Sequence, residues 1–82
     1  MSNAERSIKE SELTVLETRV IGQRVRVAKL RDALRLQLDP CKAEEGLDRD
    51  TIQALNFDFC AAHIDLAETV TDIAKIKEFL GR

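Results

Sequence analysis

Tryptophan and tyrosine are absent from this chain, and three phenylalanines leave aromatics at 4% of its 82 residues. Glycine occurs three times and proline once. Sandwiches and barrels need frequent turns, so this scarcity of turn residues points away from them and toward long helices. Cysteine is sparse as well. Cys41 and Cys60 lie 19 positions apart without a CxxC, and His63 is the only histidine. That set suits neither a zinc site nor a disulfide framework, so no metal, no disulfide and no cofactor are expected. No apolar run approaches the ~20 residues of a membrane-spanning helix, which excludes a membrane role of that kind. With no signal-peptide pattern, the expected location is cytoplasmic. The net charge of −2 gives no overall attraction to nucleic acid or anionic lipid.

What is present is a mixture of aliphatic and charged side chains. Hydrophobic residues make up 44% of the chain and charged ones 34%, against ~25% charged in an average soluble protein. The length allows a single domain, residues 1–82, and a chain this short buries a smaller share of its surface than a typical domain.

The sharpest punctuation runs from Asp39-Pro40 to Gly46. Pro40 disfavours helical geometry at Asp39, and Asp48 is placed to cap a second helix, with Leu47 and Ile52 at the spacing of a hydrophobic staple. Ser7 with Glu10, and Ser2 with Glu5, both have capping-box spacing and offer two starts for the first helix. The sequence thus predicts helices over about 5–38 and 48–80, joined by a loop over about 39–47.

Seven-residue periodicity supports both helices. Ile52, Phe59, Leu66, Ile73 and Leu80 fall at a positions, with Leu55, Ala62, Thr69 and Ile76 at d. In the first helix the a positions are Leu13, Val20, Val27 and Leu34, and the d positions Leu16, Gln23, Leu30 and Gln37. These are coiled-coil seams, the first interrupted by two glutamines suited to setting register. Folded back as an antiparallel hairpin, one register pairs Leu13 with Ile76, Leu16 with Ile73, Val27 with Ala62, Leu30 with Phe59 and Leu34 with Leu55. The same register sets Arg26 near Asp65, Arg19 near Asp72 and Glu10 near Lys77, favouring this orientation. A strand over Val15–Val27 is the competing reading, but it lacks a partner strand.

The hairpin should not be alone. From Ile52 to Ala67 eleven of sixteen residues are apolar, and Phe57, Cys60 and Ile64 lie beyond one narrow seam. Ile21, Val25 and Ala28 form a second stripe on the first helix. Helices apolar on more than one face are buried on more than one face. The expected assembly is all-α, a homodimer of hairpins closing as a four-helix bundle, with another helical protein as the alternative partner.

Arg19, Arg24, Arg26, Lys29, Arg31 and Arg35 cluster within seventeen residues, opposed only by Asp32. The acidic second helix is expected to engage this face. Arg24, Arg31 and Arg35 are then left as candidate contacts to an anion or to nucleic-acid phosphates. An enzyme would need acid and base groups converging in a pocket, and no catalytic spacing is present. The expected function is a non-enzymatic protein-interaction module: an adaptor, regulator or assembly factor. A dimeric nucleic-acid-binding regulator is the alternative.

Overall fold

The computed structural model describes residues 2–39 and 46–82. Pro40 and Cys41, the expected helix stop and loop thiol, lie outside the described residues. The described residues form two helices: α1, Asn3–Gln37, and α2, Arg49–Phe79. They pack against each other as an elongated antiparallel hairpin measuring 63 × 15 × 15 Å. Residues 15–27 are helical throughout, so the strand reading is overturned. The i→i−4 hydrogen bonding of one long helix satisfies the valines' backbone without a partner strand.

The caps explain where each helix begins and ends. Ser2, rather than Ser7, starts α1 by accepting the Glu5 amide at 3.1 Å. α2 starts at Asp48, whose Oδ1 accepts the Thr51 amide at 3.1 Å while its Oδ2 accepts the Thr51 hydroxyl at 2.6 Å. Leu47, the outer half of the expected staple, remains 44% exposed. α2 ends in a Schellman arrangement around Gly81, whose φ of +77° is left-handed. Arg82 N–H donates to Lys77 C=O at 2.8 Å and Gly81 N–H to Glu78 C=O at 3.1 Å.

The Asp48 cap has a pH signature. The Thr51 hydroxyl, and then the Thr51 amide, hold its carboxyl below the ordinary value of 3.8. A depressed folded value means that the cap's contribution is complete above 3.8 and fades as pH falls through the lower folded value. Cα chemical shifts of residues 49–52 should therefore lose helical character in that acid range. Asp48→Asn should keep the cap and remove the pH dependence. Unchanged shifts in the wild type through the same range would show that the carboxylate is not what holds this turn.

Every seam position read from the sequence is buried or half-buried. The tightest layer is Leu13, Ile76 and Leu80, with Leu16 and Ile73 packed against it, which matches the expected register. Val20 and Thr69 are both buried, as is Ala62. The Thr69 hydroxyl bonds the Asp65 carbonyl at 3.1 Å, so burying it leaves no unsatisfied donor. Val27, Leu30, Leu34, Leu55 and Phe59 are only half-buried. Toward the loop the two helices cover the small side chains fully and the large ones only in part, whereas at the chain-end layer Leu13, Ile76 and Leu80 are buried.

The expected ion pairs across the seam do not form. Among the described residues, Arg26 with Asp65, Arg19 with Asp72 and Glu10 with Lys77 are not within ion-pair distance. Among the described residues, the one ion pair joining the helical arms is Glu10 with Arg82, at 3.3 Å. Exposed pairs gain a fraction of ~1 kcal/mol and lose side-chain entropy on ordering, so hydration competes well with them.

Candidate interaction surface

A two-helix rod cannot hide much of itself. The accessible surface is 6135 Å², while a compact protein of 9.3 kDa would expose roughly 5,000 Å². The excess is partly apolar. Phe57 is 74% exposed, Ile21 63% and Ile64 57%, and Val25 is also exposed. Cys60 is exposed, its thiol 4.0 Å from Asn56 Oδ1, while Ala28 is half-buried. All six expected interface residues therefore lie outside the buried layers of the hairpin. Exposed apolar residues also occur at Ile8, Val15, Val70 and Phe79, so they run the whole length of the rod, not only its loop-proximal half.

These residues belong to a more regular feature. On each helix the positions turned away from the seam are b and f; near the helix ends Asp32 and Arg35 on α1 and Asp50 and Glu78 on α2 put charge there, and the remaining stretches are uncharged. On α1 they read Ser7, Ser11, Thr14, Thr18, Ile21, Val25 and Ala28. On α2 they read Gln53, Phe57, Cys60, Ile64, Ala67, Thr71 and Ala74. None of the fourteen is charged, in a chain that is 34% charged. An outward face left in water normally collects the charges. Three threonines in these stripes turn their hydroxyls onto their own helix: Thr14 to Glu10 C=O, Thr18 to Thr14 C=O and Thr71 to Ala67 C=O, at 2.9–3.1 Å. Their donors are already satisfied, which lowers the cost of removing water from either stripe. Sequence reading found the apolar members of the stripes and missed the polar uncharged ones, because the lack of charge over Ser7–Ala28 and Gln53–Ala74 at b and f takes on meaning only once the outward face is known.

Alongside the uncharged stretches, the charged residues lie at the edges. Glu12 and Asp72 line one groove of the seam together with Lys9, Leu16, Lys75 and Ile76. Arg24 and Arg31 lie toward the opposite side of the seam, and Arg35 on the outer face beyond it. All three are exposed. Arg31 contacts the neighbouring Asp32 at 3.2 Å, and among the described residues Arg24 and Arg35 make no ion pair. The expectation that α2 would engage the basic face of α1 is therefore overturned for the described residues.

His63 is exposed and stacks on Phe59, with ring centroids 6.4 Å apart and planes at 21°. Among the described residues, no three His, Cys, Asp or Glu side chains are grouped to hold a metal ion. No described helix is long and apolar enough to cross a membrane. Comparison of the chain with protein-family models, curated proteins and solved structures gives no match.

Proposed function

We propose that this chain is a small, non-enzymatic helical interaction module, an adaptor, regulator or assembly factor, working in the cytoplasm. Its outward faces dock on a second copy of itself or on another helical protein, and two copies joined in this way make a four-helix assembly. The observation that carries the reading is the pair of uncharged stripes, with Phe57 the most exposed large apolar residue among those described. Exposed apolar stripes of this extent mark interfaces. A nucleic-acid partner is less well supported, because Arg24 and Arg31 share their edge of α1 with Glu10 and Glu17.

Sedimentation and circular dichroism test the reading together. The wild type should sediment above the mass of one chain at micromolar concentration. Ile21→Asp combined with Phe57→Asp should keep the helix content and weaken association by at least about tenfold, since a charge is then buried at each contact. A wild type that is monomeric throughout and binds no apolar dye would rule the reading out.

A further inference from the structure

The edge of α1 next to its uncharged stripe reads Glu10, Glu17, Arg24 and Arg31 at seven-residue intervals. It is acidic in its first half and basic in its second. Within the described hairpin this pattern has little use. Glu17 and Arg24 are exposed and neither makes an ion pair among the described residues, and Arg31 contacts only adjacent Asp32. Glu10 is the exception, held by Arg6 and Arg82. Glu17 and Arg24 stand about 10 Å apart along the same helix, beyond ion-pair reach of each other.

We propose that the outer stripe of α1 is a homotypic interface: α1 of a second copy lies on it, turned end for end about a twofold axis level with Arg19 and Val20. The proposal rests on the interaction-module reading and adds the partner, the orientation and the register. In this arrangement Glu17 faces Arg24 of the second copy and Glu10 faces its Arg31, each pair occurring twice by symmetry. A parallel arrangement would set this edge against the other flank of the stripe, Glu17 beside Gly22 and Arg24 beside Lys29 of the second copy, which forms no opposite-charge pair and one repulsive one. The stripe then pairs Ile21 with Thr18 of the second copy, Val25 with its Thr14 and Ala28 with its Ser11. Charge enters this seam only at its two ends, where Asp32 faces Ser7 and Arg35 faces Ala4 of the second copy.

Gly22 fits the same register. Nothing in the hairpin lies within 4 Å of where its Cβ would stand, so the fold of one chain does not require a glycine there. A mid-helix glycine is unfavourable unless close approach rewards it. End-for-end pairing sets Val15 of the second copy against Gly22, giving the bare backbone a neighbour. The contact face lies roughly 150° around α1 from the seam, on 3.5 residues per turn, so the four helices form a layer with α2 outermost. A closed square would need faces at about 90°.

Charge exchange at the exposed pair decides the question. Sedimentation in low salt should show Glu17→Arg alone, and Arg24→Glu alone, weakening self-association by about tenfold or more, with helix content unchanged. Combining the two restores opposite charges at both symmetry-related contacts and should bring association back to within a few-fold of wild type. Gly22→Leu should keep or raise helicity and also weaken association. If the assembly persists unchanged in all four variants, this interface is wrong and the interaction-module reading survives through other faces. A wild type that is monomeric and binds no apolar dye overturns both. A monomer that binds RNA through Arg24 and Arg31, with affinity falling as salt rises, also overturns the proposal.

Discussion

Ile76→Asp is expected to abolish the folded hairpin at 25 °C. Ile76 is 8% exposed and shares its layer with Leu13 and Leu80, both at 4%. Lys9 and Lys75 line the groove beside Ile76, but a carboxylate placed in this layer still loses its hydration and the apolar contacts of the isoleucine. An 82-residue chain has roughly 4–12 kcal/mol of stability in total, and a buried charge consumes much of it. The milder Leu13→Ala should cost about 2–5 kcal/mol by removing contacts and leaving a void. Leu34→Ala, at a half-buried site nearer the loop, should cost clearly less. Urea unfolding followed by circular dichroism reads all three. Equal losses for Leu13→Ala and Leu34→Ala would show that the layer at the chain ends is not the anchor.

Gln23→Met should have the opposite sign. Gln23 faces Leu66 in the observed register, and its Oε1 is buried without a hydrogen-bond partner. A buried acceptor left unmade costs about 1–3 kcal/mol, and methionine replaces the amide with an apolar group of similar shape. The expected gain is about 1–2 kcal/mol, or roughly 5–10 °C in Tm for a domain of this size. Samples must be compared at one protein concentration, because association itself raises Tm. A lower Tm for the variant would mean that the glutamine contributes to stability through a bonded amide. The same substitution removes the polar marker of register in the middle of α1, and alternative pairings should then compete better.

The seam was the most legible part of the fold, because burial between two helices repeats every seven residues and leaves that period in the sequence. Asp48 was equally plain: an isolated cap before a periodic run has little else to do. The start of α1 was not decidable, since Ser2 and Ser7 offer the same spacing and both lie in front of good helix formers. Charge pairing was misread for a physical reason. Register brings Arg19 toward Asp72 and Arg26 toward Asp65, but nothing holds exposed side chains of that length in contact. Phe59 reads as a core anchor, yet it is half-buried and leans on His63, because two helices cannot enclose a phenyl ring. The deepest burial falls instead on small Ala62 and Thr69, and on the end where Lys9 lies over the Phe79 ring at 5.7 Å. The outward stripes were half legible. Counting apolar residues found Ile21 and Phe57, whereas the missing charges at Ser11, Thr14, Thr18 and Thr71 become meaningful only once the outward face is fixed.

The placement of that best-packed layer has a mechanical meaning. Residues 2 and 82 lie at the same end of the hairpin, so tension between them does not load the seam evenly. It peels the helices apart, and layers part in sequence from the open end. The first to bear the load is the Leu13–Ile76–Leu80 layer, bridged on its flank by Glu10 and Arg82. Behind it the large half-buried side chains toward the loop offer less resistance each. The hairpin is thus latched where it would begin to open, and once the latch gives, the load passes to the buried Val20–Thr69 layer and Ala62, and then to the half-buried side chains toward the loop.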